Sequence, residues 1–155
     1  MRTLNSKMQG AGLIEVMVAF LVLGIGLLGI LGMQSASVQY SQQAYLYSQA
    51  TLLAQDIAEK MRSNQKTVAS NYEIEFGATP PSYTSNYCVS NACTPAVIAD
   101  WDVSVWRSAI SKALPQGSGE IRKLQSAASA YIIEIRFDAD RGEGELDTVT
   151  MEVVL

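Results

Sequence analysis

The sequence predicts an α+β fold, with one long N-terminal α-helix, apolar in its first half and packed in its second half against a small antiparallel β-sheet. Three observations carry this reading. The 18 residues from Val16 to Met33 hold no charge, and no charged residue follows until Asp56. Beyond that run an apolar stripe continues at helical spacing without a proline. In the C-terminal third, apolar and polar residues alternate over two separate stretches, at the period of a strand. A chain of 155 residues has room for one domain and an anchor, not for two full domains.

The chain starts with a largely polar stretch of ten residues that carries Arg2 and Lys7, as the basic region of an export signal does. The apolar segment that follows is too long for an ordinary secretory signal, and no small-residue cleavage site comes after it. Eleven of the 18 uncharged residues are Leu, Ile, Val or Phe. At roughly −0.3 to −0.6 kcal/mol each, they favour membrane insertion by about 3–7 kcal/mol. The basic leader is expected to stay cytoplasmic and the remainder to lie outside. The formal net charge is −4, and without Arg2 and Lys7 the chain has 9 basic against 15 acidic residues. That balance offers no footprint for nucleic acid.

One helix is expected from about Ala11 to Asn64, roughly 80 Å at 1.5 Å per residue. Leu46, Ala50, Leu53, Ile57 and Met61 form its outer apolar stripe. Asp56 and Lys60 make an i,i+4 pair in the favourable order, and Lys60, Arg62 and Lys66 gather where the helix dipole favours cations. The expected division is a leader at 1–10, a transmembrane part of the helix at 11–36, an amphipathic part outside the membrane at 37–66, and a globular head at 67–155. Gly24, Gly26, Gly29 and Gly32 are either close-packing points between helices or places where the helix loosens. Tyr40, Tyr45 and Tyr47 are expected near the membrane exit or against other subunits.

Residues 67–99 are rich in Ser, Thr, Asn and Pro and read as an irregular connection. Within it, "SYTSNYCVSNACTP" holds Cys88 and Cys93. In an exported chain a pair this close reads as a disulfide, worth roughly 2 kcal/mol. The alternative is a metal site, but two cysteines in a chain without His supply half a zinc site at best. "DWDVSVWRSAISKALP" predicts a short helix capped by Asp100 or Asp102 and stopped by Pro115. Val103, Trp106, Ile110 and Leu114 line one face of it, and Trp101 and Trp106 read as packing residues. "QGSG" is a turn. "YIIEIRF" and "TVTMEVVL" are strands whose core faces are Tyr131, Ile133, Ile135 and Phe137, and Val149, Met151, Val153 and Leu155. "EIRKL" is a candidate third strand. The loop "DADRGEGELD" holds five acids and reads as a solvated hairpin loop. Calcium is the alternative, although Gly142 at the fifth position departs from an EF-hand loop.

One carboxylate remains to be explained. Glu15 stands at the head of the apolar run, five residues after Gly10, where an unpaired charge in lipid costs several kcal/mol. Taken alone it is an acid at the bilayer edge of a signal anchor. "G-A-G-L-I-E" at 10–15, after a short basic leader, resembles the type IV prepilin processing motif. The resemblance implies cleavage by a prepilin peptidase between Gly10 and Ala11 and N-methylation of Ala11. It also makes Glu15 the assembly carboxylate that pairs with the N-terminal ammonium of a neighbouring subunit. Ala11 and Gly12 depart from the Phe and Thr usual in major pilins, a change that minor pilins tolerate.

"GIGLLGILGMQ", "AYLYSQATLLAQDIAEKMRSNQ" and "WRSAISKALPQGSG" resemble minor pilins of the pilus-modification (PilV) type, over residues 8–64 and 101–119. That likeness implies a type IV pilin-like fold and a low-abundance subunit that primes pilus assembly. It implies other minor and major pilins, the inner-membrane assembly platform and often a large tip adhesin as partners. The subunit would sit in the bacterial inner membrane with its head in the periplasm, then in the extracellular fibre, serving adhesion and twitching motility. No cofactor, metal or enzymatic activity is expected, since the chain lacks His and shows neither a nucleophile–base pair nor a phosphate loop. The nearest alternative is a minor pseudopilin of a type II secretion system. A signal-anchored enzyme or binding module is a more distant one.

Overall fold

The computed structural model describes residues 12–64, 69–84, 86–125, 129–140, 142 and 144–155. The elements run α1 (Leu13–Ser63), a 3-10 turn (Ala69–Tyr72), α2 (Tyr87–Ser90), α3 (Pro95–Ala113), β1 (Ser118–Lys123), β2 (Ala130–Phe137) and β3 (Asp147–Val154). The chain divides into two compact units, residues 1–41 and 42–155.

In the first unit α1 presents bare hydrocarbon. Leu13, Phe20, Leu28 and Met33 are each more than two-thirds exposed. By length and composition α1 is able to cross a membrane. A methyl group added at Gly24, Gly26, Gly29 or Gly32 would meet nothing within 4 Å.

In the second unit the same helix changes character. Ala50, Ala54, Ile57, Ala58 and Met61 are buried, and Leu46 and Leu53 pack against them. The stripe read from sequence is there, widened by Ala54 and Ala58. Three alanines at i,i+4 spacing leave a flat track, so neighbouring elements approach the backbone closely. The Asp56–Lys60 pair forms at 2.9 Å on the solvent side, where such pairs contribute about 0.2–0.5 kcal/mol.

The three strands form one antiparallel sheet in the order β1-β2-β3. Its register aligns Ile121 with Ile133 and Met151, and Gly119 with Ile135 and Val149. Tyr131, Ile133, Ile135 and Phe137 are buried, as their alternation predicts. The third strand is real and extends from Ser118 to Lys123. A single bridge, Ile74 to Ile121, continues the sheet beyond β1.

α3 joins the same core, with Val103, Trp106, Ile110 and Leu114 buried together. Its start departs from the sequence reading. The helix begins at Pro95, five residues before the expected Asp100, because Thr94 caps it. The Thr94 side chain accepts from the Val97 N–H at 3.4 Å, and proline fits the first turn, where its missing N–H costs nothing. Asp100 and Asp102 are therefore interior positions. The described part of the connection at 67–99 holds the 3-10 turn and α2, which its composition does not suggest.

Gly119 marks the tightest approach. A Cβ built there would sit 2.5 Å from the Trp106 ring and 2.7 Å from Ile110. Gly119→Ala is expected to lower stability by about 1–3 kcal/mol through overpacking. In denaturant titrations of the detergent-solubilised chain the midpoint should fall, while Gly24→Ala should leave the head's transition unshifted.

Candidate functional site

Glu15 lies in the first turn of α1, exposed, with its N–H donating to the Gly12 carbonyl at 2.8 Å. A carboxylate in this turn suits the positive end of the helix dipole. Among the described residues no cation pairs with it. Gly10 and Ala11, the expected cleavage and methylation positions, lie outside the described residues. Lys66 lies outside them as well.

The head contributes four polar arrangements. The first joins the end of α1, the 3-10 turn and α3. Asp102 is buried, and its Oδ2 accepts from the Tyr72 hydroxyl at 3.0 Å. Asn64 Nδ2 donates to that hydroxyl at 3.1 Å and to the Pro95 carbonyl at 2.8 Å. Burial pushes the Asp102 carboxyl above the usual carboxylate range, against the Tyr72 hydrogen bond and the charge of Lys60. Burial also pushes the Tyr72 phenol well above its ordinary value.

The second is Arg107. Its guanidinium donates to the carbonyls of Glu75 at 3.2 Å, Ala78 at 3.0 Å and Gly119, tying the 75–78 segment to the edge of β1. Burial lowers its pKa from the ordinary value.

The third is the acidic loop. Asp138 accepts from Gln116 Nε2 at 3.0 Å, Asp140 from Gln43 Nε2, and Asp147 from the Tyr47 hydroxyl and, at 3.3 Å, from the Ala139 N–H. These acids are engaged by donors of their own chain, and Glu143 lies outside the described residues. Among the described residues no group of three His, Cys, Asp or Glu is arranged to hold a metal ion. Tyr47 corrects the sequence reading. It packs on the head, edge-on to Phe137 with ring centroids 5.2 Å apart. Its hydrogen bond to Asp147 and that residue's negative charge hold the Tyr47 phenol above its ordinary pKa.

The fourth is the cysteine loop. Cys88 and Cys93 are joined, with their Cα atoms 5.7 Å apart, so both sulfurs are committed to the disulfide. Trp101 Nε1 donates to the Thr84 carbonyl at 3.0 Å and seats this loop on α3. That is the packing role expected of Trp101.

These arrangements fasten one element to another, and none sets a nucleophile beside a base. Sequence reasoning missed Tyr72, Asn64 and Arg107. The available signal was a lone arginine on the apolar side of α3, where a long side chain reaches buried carbonyls.

Compared with known proteins, residues 32–104 match the model of a family described as Type IV pilin Tt1218. The matched span takes in the second half of α1, the disulfide and the first part of α3; it stops short of Glu15. No curated protein and no solved structure matches the chain.

Asp102 gives a pH dependence with a defined sign. Its pKa is higher folded than the roughly 3.9 of an unfolded aspartate. The stability held by its protonated form is full below that value and is lost as pH rises through the raised folded value. Asp102→Asn cannot ionise and still accepts from Tyr72. Its stability relative to the parent chain should rise with pH across the acid range, as measured by unfolding in parallel buffers; a pH-independent difference would contradict the assignment.

Proposed function

We propose that the chain is a minor pilin of the type IV pilus, of the pilus-modification (PilV) type, that helps to prime pilus assembly within a tip complex. The observation that carries this reading is α1, continuous from Leu13 to Ser63, with bare hydrocarbon along its first part and the head's core built on its last turns. The similarity to type IV pilins over residues 32–104 supports the pilin class. The chemistry of Glu15 supports an assembly role.

On this reading residues 1–10 are the leader, 11–36 the transmembrane part, 37–66 the amphipathic part and 67–155 the head. A prepilin peptidase hydrolyses the Gly10–Ala11 peptide bond, leaving a carboxylate on Gly10 and a free amine on Ala11, which is then methylated. The apolar helix holds the subunit in the inner membrane with its head in the periplasm. When the subunit leaves the bilayer for the fibre, Glu15 pairs with the N-terminal ammonium of a neighbour. Neither charge is tolerable alone in an apolar filament core, so the pair selects the correct axial position. Gly24, Gly26, Gly29 and Gly32 leave space for another helix to approach. The head then meets other minor pilins, major pilins and a tip adhesin. The acts performed are docking and extraction, not catalysis.

Intact mass tests the processing step. Co-expression with a prepilin peptidase should remove residues 1–10 and add one methyl group; an uncut chain beside a processed control prepilin would overturn the reading. Glu15→Ala should leave cleavage in place. Removing one partner of a buried ion pair costs about 3–5 kcal/mol, so recovery of the variant in sheared fibres should fall by about a hundredfold to a few thousandfold. Unchanged recovery would remove Glu15 from assembly. Loss of an exported protein instead of twitching, on deletion of the gene, would move the chain to a secretion-system pseudopilin.

A further inference from the structure

The two edges of the sheet are treated differently. β1 is six residues long and carries exposed Arg122 and Lys123. Its outward-facing backbone is engaged at Ile121, which exchanges both hydrogen bonds with Ile74 at 2.9 Å, and at Gly119, whose carbonyl accepts from Arg107. These are recognised ways of blunting an edge strand: shortness, positive charge and cover.

β3 has none of them. It is eight residues long, DTVTMEVV, without Lys, Arg or Pro. It pairs with β2 without a bulge over all eight positions. The phase of that pairing is defined by the Leu155 N–H, which donates to the Ser129 carbonyl at 2.9 Å. The odd-numbered residues of β3 therefore exchange hydrogen bonds with β2. Thr148, Thr150, Glu152 and Val154 turn their N–H and C=O groups to the other side. Among the described residues no strand lies there. All four side chains are exposed, Val154 by 66%. The result is a straight row of backbone donors and acceptors at every second residue.

We propose that this free edge of β3 is a docking edge for an extended segment of a partner polypeptide, which adds antiparallel as a fourth strand with Lys or Arg opposite Glu152. The charge follows from position. Glu152 is the single charged residue among the four outward-facing positions, and Asp147 and Glu145 stand at the start of the strand. An acid directly opposite Glu152 is repelled, whereas an opposite charge contributes. Thr148, Thr150 and Val154 suit β-branched neighbours on the same face.

A second copy of β3 is the other strand available. Antiparallel pairing of two β3 strands would follow a twofold axis perpendicular to the sheet. That operation reverses the part of α1 lying on the sheet, so the two helices would run in opposite directions. Two chains anchored in one membrane cannot do this. The preference for a partner segment over a second copy rests on the anchored reading; the docking edge itself does not.

The test uses the detergent-solubilised full chain and a cyclic β-hairpin peptide whose outer strand alternates Val and Thr, with one Arg placed to face Glu152. Binding should slow amide exchange at Thr148, Thr150, Glu152 and Val154, and leave β1 amides unchanged. Thr150→Pro removes an outward N–H that β2 does not use, and should weaken binding about tenfold while the native circular dichroism is retained. Glu152→Lys should weaken the Arg peptide about fivefold and favour the same peptide carrying Glu. Absence of binding, protection elsewhere than β3, or no charge preference in the Glu152 variant would overturn the proposal. Protection of the same four amides without peptide, together with a sedimenting dimer, would assign the edge to a second copy instead.

Discussion

The head depends on the seat of one indole. Trp106 is fully buried, and its N–H donates to the Leu53 carbonyl at 2.9 Å while its ring lies over Gly119. One side chain thus touches α1, α3 and β1, and each contact constrains the others. The hydrogen bond sets how far α3 stands from α1. The ring needs a strand residue without a side chain, which ties the placement of β1 to the same point. Leu53 already gives its carbonyl to the helix, so the indole takes a second lone pair and no backbone bond is broken. Around this seat Ile57, Ile110, Ile121 and Ile135 close the core.

Polar fastenings then hold the periphery. Arg107 sits one residue beyond Trp106 on α3 and reaches carbonyls of the 75–78 segment and β1, so a single helix turn carries both the apolar and the polar joint. Asp102, one turn earlier, receives the Tyr72 hydroxyl. α3 therefore works as the keel of the head, with neighbours attached along its length. In the first unit the opposite condition holds: α1 has apolar side chains on all sides and no partner for Glu15 among the described residues. The two parts of one helix are suited to different surroundings, lipid or other helices for the first and the head's own core for the second.

Much of this was legible in the sequence where a pattern repeats. The alternation in β2 and β3, the α1 stripe from Leu46 to Met61 and the Val103–Leu114 face of α3 each follow one period. What was missed has no period. The start of α3 was hidden because Thr94-Pro95 reads equally as a break and as a cap, and only the Thr94 side chain on Val97 decides between them. Tyr72, Asn64 and Arg107 act through backbone carbonyls that are distant in sequence, and nothing in composition marks a carbonyl as a partner. Tyr47 looked like one of three similar tyrosines until Asp147 and Phe137 set it apart. The two cysteines were readable because their separation leaves few choices. Gly10, Ala11 and Glu15 resemble a known motif, and on the proposed reading their meaning depends on an enzyme and on neighbouring subunits.

The hydrogen bonds from Gln43 to Asp140 and from Tyr47 to Asp147 span 97 and 100 positions of sequence. The element made first is thus completed by partners made nearly last. Contacts of such separation form slowly, because a long loop must close before they contribute. While the chain is being synthesised, the Leu46–Met61 stripe has no sheet to cover it, and α3 alone cannot close the core around Trp106. The core around Trp106 therefore closes only once the C-terminal strands are made. Until Asp147 is made, the nascent chain carries an uncovered apolar stripe.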